Sequence, residues 1–198
     1  FNSQQIPFYI NAVRAVQEGN MNWSWNTDLG GSMVNCYSFY LMGSPFFWLS
    51  CLFPYRWVPY MMPLWLMFKF AIASLGAFMF LRRYAKDANY AYIGAILYAF
   101  SGFSVYNIFF NHFLESVAFF PFLLWSLDEF VLNRRRGPFV FFVALNLVNN
   151  YFFFIGQVVF LFIYFACKML CGEYRLKVKE FLLLAFESVL GCICGIVL

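Results

Sequence analysis

Asn107, Asn111, His112 and Glu115 stand within the largely apolar and aromatic stretch SGFSVYNIFFNHFLESVAFFPF, and His112 is the only histidine of the chain. A carboxylate can accept a proton, an imidazole can accept or donate one, and amides bind hydroxyl groups. Glu115 is a candidate catalytic residue, with Asn111 and His112 as candidates for substrate contacts. The plain alternative for Glu115 is a helix-capping role, since a carboxylate in a first helical turn is stabilised by about 0.3 to 1 kcal/mol. Asn149 and Asn150 in VNNYFFFIG form a second polar turn and join the same candidate set. Asp28 follows WSWNT and precedes the pair Gly30 and Gly31, where a tight turn would aim it at a substrate; it is the second catalytic candidate. The alternative is a loop aspartate bonded to its own turn. Lys69 lies inside an apolar run, so it either contacts substrate, snorkels to the interface or pairs with a carboxylate such as Glu115.

The elements that must position these groups belong in a bilayer. Hydrophobic residues make up 64% of the 198 and charged residues 11%, with mean hydropathy +0.71; soluble domains carry about 25% charged residues. The apolar runs lack the two-residue alternation of membrane strands, so the expected fold is all-α, a polytopic transmembrane helical bundle. The spans expected are Pro63 to Leu81, Tyr90 to Phe110, Leu114 to Leu132, the stretch Pro138 to Leu170 and Phe181 to Leu198. If the helix opens at Pro63, Lys69 lies about 9 Å below its end. As one helix, Pro138 to Leu170 would be about 50 Å long, more than a hydrocarbon core of about 30 Å. It is therefore expected to cross twice and to break at Asn149 and Asn150, which gives about six spans. Residues 1–62 mix polar and aromatic residues with Gly30, Gly31, Gly43 and Pro45, and suit an external loop with short interfacial helices. The opening FNSQQIPFYI resembles no signal peptide, and the chain reads as an internal piece of a longer protein with at least one earlier span.

Basic residues set the orientation. Arg82, Arg83 and Lys86, then Arg134, Arg135 and Arg136, then Lys168, Arg175, Lys177 and Lys179 fall on one face if the long stretch crosses twice. The positive-inside rule makes that face cytoplasmic, and places residues 1–62, the Asn107 to Glu115 turn and Asn149 with Asn150 outside. Asp128 and Glu129 are expected to pair with inner bases, and Arg14 with Glu18 as an ordinary surface pair. No metal signature, nucleotide-binding glycine loop, Ser-His-Asp set or nucleic-acid motif is present.

The succession QQIPF, WSWNTDLGG, YSFYLMGSPF, a span with an internal lysine, SGF, NHFLE, FFPFLL and NNYFF resembles the bacterial YfhO-type membrane proteins, in register over essentially the whole chain. Those proteins are similar to GT-C glycosyltransferases. The resemblance implies transfer of a sugar from a polyprenyl-phosphate carrier to a cell-wall polymer such as teichoic acid, on the outer face of the bacterial cytoplasmic membrane. It also implies that the principal catalytic carboxylate lies upstream of Phe1; no cofactor is implied, and a divalent metal is left open. Two rival classes remain, a polytopic transporter or lipid flippase and a noncatalytic membrane assembly partner. A transporter would use the broken helix as its substrate site.

Overall fold

The computed structural model describes residues 4–25, 27 and 30–197, and the fold they form is helical. Ten α-helices run in order: α1 Gln5–Gln17, α2 Met33–Tyr37, α3 Pro45–Cys51, α4 Val58–Leu81, α5 Ala88–Ala99, α6 Gly102–Tyr106, α7 Phe113–Asn133, α8 Pro138–Asn149, α9 Tyr151–Leu170 and α10 Val178–Val197. Two short strands, β1 Trp23–Ser24 and β2 Gly31–Ser32, pair antiparallel. The chain divides into two compact units. Unit 1 comprises Phe1–Ala71 and Phe100–Glu115; unit 2 comprises Ile72–Ala99 and Ser116–Leu198.

Unit 1 is built from short elements with identifiable ends. Helix α1 stops where Gly19 takes a positive φ of 70°, and the amides of Gly19 and Asn20 then close on Val16 O and Ala15 O. Its inward face supplies Tyr9, Ala12 and Val13 to a core with Met33, Tyr37, Leu41, Phe47, Val58 and Met62. Ser44 starts α3: its hydroxyl accepts from Phe47 N at 3.2 Å, and Pro45 follows at a position where its missing N–H costs nothing. Ser50 on α3 accepts from Trp65 Nε1 of α4 at 2.7 Å.

In unit 2, α7 supplies Leu123, Leu127, Phe130 and Val131 to a core completed by Phe139, Val143, Phe154, Tyr174 and Leu184. Helices α8 and α10 approach closely through small residues. A methyl group at Gly191 would lie 2.7 Å from the Val143 side chain and 3.0 Å from Val140 O. Near the ends of α4 and α7, Asp128 is fully buried. It accepts from Tyr84 Oη at 2.5 Å, from Tyr164 Oη at 3.0 Å and from Tyr174 Oη. Glu129 beside it pairs with Arg83 and, at 3.6 Å, with Arg135. Both carboxylates therefore pair with a base as expected, Asp128 lying 3.9 Å from Arg83 Nη1 in addition to its three phenol hydrogen bonds. Burial raises the Tyr84 and Tyr174 hydroxyl pKa values, and the hydrogen bonds to Asp128 add to the effect.

Among the described residues, Tyr55–Leu81, Ala88–Phe109 and Tyr151–Leu170 are long and apolar enough to cross a membrane. Three boundaries bear on the expectations. The expected break at Asn149 and Asn150 is present: α8 ends at Asn149, and Asn150 caps α9 by accepting from Phe152 N at 3.1 Å and Phe153 N at 3.2 Å. Pro63 does not open α4. The helix begins at Val58, after a 3-10 turn at Tyr55–Trp57, and contains Pro63. Lys69 is thus about 16 Å along the helix rather than about 9 Å. The expected span Tyr90 to Phe110 is interrupted at Ser101, whose ψ of 157° is extended, before the short α6. The Ser101 and Ser104 hydroxyls meet there at 3.2 Å, in keeping with kinks at Ser and Gly pairs.

Candidate functional site

Lys69, Asn111 and Glu115 meet in unit 1. Lys69 Nζ lies 2.7 Å from Glu115 Oε1, 3.0 Å from Asn111 O and 2.9 Å from Asn111 Oδ1. All three ammonium hydrogens are therefore used within the chain. The lysine also sits over the Phe46 ring, 5.3 Å from its centroid. Lys69 and Glu115 are 2% and 3% exposed, so the pair is desolvated, and neither charge can be lost without stranding the other. The same Glu115 oxygen accepts from Ser44 Oγ at 2.7 Å. One serine thus starts α3 with one contact and holds the carboxylate with another.

The second oxygen of Glu115 has no hydrogen-bond partner among the described residues, and neither has His112 Nε2. Both atoms are buried. The His112 ring touches Phe39, Tyr40, Phe110 and Phe113, with centroids between 4.4 and 6.3 Å away. Burial in this aromatic box, together with the Lys69 charge, lowers the His112 pKa to about 4. A neutral imidazole and a carboxylate oxygen, both unsatisfied, can receive a hydroxyl-bearing ligand: a carboxylate oxygen accepts an O–H, and a neutral imidazole nitrogen accepts or donates.

The other candidate residues fall elsewhere. Asn149 and Asn150 belong to unit 2, where Asn149 Nδ2 contacts Ser116 Oγ at 3.4 Å and Asn150 caps α9. Gln157 Nε2 contacts Ser116 O at 3.4 Å, and Asn150 Nδ2 and Gln157 Oε1 are buried without partners among the described residues. Asp28 lies outside the described residues, although Gly30 N does donate to Thr27 O at 2.8 Å. Arg14 and Glu18 form the exposed i,i+4 pair expected of them, at 2.6 Å. Among the described residues, no group of three or more His, Cys, Asp or Glu side chains gathers to hold a metal ion.

Sequence reasoning missed Ser44, Ser116 and Gln157. Gln157 carried a signal, being an uncharged polar residue inside YFFFIGQVVF. Ser44 before Pro45 was readable as a helix start, but its bond to a residue 71 positions away was not.

Neither the curated proteins nor the solved structures contain a match to the chain. The family of the bacterial membrane protein YfhO does match, over residues 1–198. A helical chain with three segments among its described residues suited to crossing a bilayer, matched along its whole length, belongs to the YfhO family of bacterial membrane proteins.

Proposed function

We propose that this chain is the glycosyl-transferring part of a polyprenyl-phosphate-dependent membrane enzyme acting on a cell-wall polymer. The reading rests on one observation: a buried Glu115 carboxylate with one oxygen fixed by Lys69 and Ser44 and the other unpartnered among the described residues, three positions after His112, whose Nε2 is likewise buried and unpartnered among them. In the proposed reaction, Glu115 Oε2 accepts the proton of the acceptor hydroxyl as its oxygen bonds to the anomeric carbon. The bond from that carbon to the carrier phosphate breaks, and the phosphate leaves with the electron pair. His112 hydrogen-bonds a sugar or acceptor hydroxyl, while Asn111 holds Lys69. Lys69 is a positioning residue, because its hydrogens are already used. Asp28 keeps its proposed role as a further site residue on the outer face, which the basic clusters orient away from the cytoplasm.

The test is Glu115→Gln, which keeps the shape and removes the charge. Transfer from polyprenyl-phosphate sugar in isolated membranes should fall at least 100-fold per folded molecule, the usual contribution of a general base, and should stay as low in the double variant Lys69→Met with Glu115→Gln, which strands no charge. Full transfer would reduce Glu115 to the structural counter-ion of Lys69. The transport reading draws support from the break at Asn150, where Asn150 Nδ2 and Gln157 Oε1 lack partners among the described residues. It predicts that Gln157→Leu abolishes substrate movement, with Glu115→Gln having little effect.

A further inference from the structure

Unit 2 contains a second concave site, remote in chemistry from the carboxylate described above. A cavity of about 310 Å³ is lined by Phe130, Arg134, Arg136, Lys179, Glu180 and Leu183. Its shape comes from a forced turn. After α7 ends at Asn133, Arg134 takes a left-handed φ of 57° and Gly137 one of 93°, a conformation that is uncommon for a residue bearing a side chain. The turn brings Arg134 and Arg136 to the same cavity as Lys179, which lies in the first turn of α10. Glu180 is already engaged, accepting from Arg134 Nη2 at 2.9 Å and Lys177 N at 2.8 Å. Three cations against one carboxylate leave an excess of two positive charges. Counting Glu187, which also interacts with Arg136, the excess is still one.

The polarity of the lining is divided. Phe130 is buried on α7 and Leu183 half-buried on α10, so apolar side chains floor the charged mouth. With 21 and 20 residues, α7 and α10 match in length a core of about 30 Å, though neither is among the three segments of the described residues that are both long and apolar enough to cross. If both cross as the sequence reading expects, the mouth sits at the depth of the lipid phosphates. A free phosphate would use the cations and leave Phe130 and Leu183 idle, whereas an anionic glycerophospholipid uses both.

We propose that this cavity is a binding site for an anionic phospholipid, whose phosphate contacts Arg136 and Lys179 and whose acyl chain lies along Phe130 and Leu183. The site is independent of the transfer chemistry and of which leaflet it faces.

Purified protein in a neutral detergent would be titrated with phosphatidylglycerol, phosphatidylcholine and glycerol phosphate, with bound lipid counted by native mass spectrometry. Phosphatidylglycerol should bind at least tenfold more tightly than phosphatidylcholine, and glycerol phosphate should not compete at equal concentration. The double change Arg136→Gln with Lys179→Gln, at exposed positions, should raise the apparent Kd for phosphatidylglycerol at least tenfold. The matched change Arg82→Gln with Lys86→Gln, also exposed, should leave it unaltered. Equal binding of the two lipids would overturn the proposal, as would equal loss in both double variants, which would mean unspecific attraction to basic charge. Competition by glycerol phosphate would overturn the lipid assignment in favour of a soluble phosphate.

Discussion

Replacing Lys69 by Met keeps most of the side-chain volume and removes only the charge and its three donors. At 2.7 Å and an effective dielectric constant of 20, the Coulomb attraction between Lys69 and Glu115 is about 6 kcal/mol. Most of it offsets the cost of taking both ions out of water. The measurable quantity is what remains when one ion is stranded, about 3 to 5 kcal/mol for a buried pair. Ser44 still donates to the carboxylate in the variant, which puts the expected loss at the lower end of that range. For a chain of this length, 1 kcal/mol corresponds to roughly 2 to 4 °C, so Tm should fall by about 6 to 12 °C. Thermal unfolding in detergent, followed by labelling of the six cysteines with a thiol-reactive dye, would read this directly. The double variant Lys69→Met with Glu115→Gln strands no charge and should recover at least half of the loss while remaining inactive in transfer. The reasoning fails if the single variant loses under 1 kcal/mol, or if the double variant is as unstable as the single one.

The His112 pKa of about 4 lies below the unfolded value of about 6.5, so the unfolded chain binds the proton more readily. Stability is therefore complete above pH 6.5 and falls by up to about 3 kcal/mol as the pH drops toward 4; His112→Phe should remove that part of the slope in Tm measured from pH 7 to 4. Gly191→Ala forces a methyl group to 2.7 Å from Val143 and should cost about 1 to 3 kcal/mol in the same unfolding assay, while Gly156→Ala, where a methyl meets nothing within 4 Å, should cost nothing. For topology, single cysteines at Asp28 and Asn150 should react with an impermeant thiol reagent in intact cells, and those at Arg135 and Lys177 should not; labelling at Arg135 would reverse the orientation.

Much of the architecture was readable because membrane length imposes it. The Pro138 to Leu170 stretch had to break, and adjacent asparagines are poor helix interiors but good caps, so Asn149 and Asn150 marked the place. The Ser101 break was invisible to hydropathy, because SGF interrupts the backbone without interrupting the apolar run. A proline at the first helical position would start α4 at Pro63, whereas the preceding 3-10 turn lets the helix begin at Val58. At the site, Lys69 and Glu115 were conspicuous as charges in an apolar chain, and their pairing was one of three readings open for Lys69. Which reading applies depended on the tertiary approach of α4 to the Asn111 turn, and no local pattern encodes that. Ser44 and the rings around His112 were hidden for the same reason.

The distance in sequence between Lys69 and its counter-ion has a consequence for biogenesis. Glu115 is made 46 residues after Lys69, and at about 5 to 20 residues per second the ribosome needs roughly 2 to 9 seconds to produce it. During that interval α4 has entered, or waits beside, the bilayer with an ammonium group that costs about 2.5 to 3.5 kcal/mol at the centre of a lone helix on the insertion scale. Asn111, which satisfies two of the ammonium hydrogens, arrives only four residues before Glu115. Helix α4 thus has no reason to settle at its final depth until the Asn111 to Glu115 turn emerges, and the nascent chain is held in a provisional state by a single lysine.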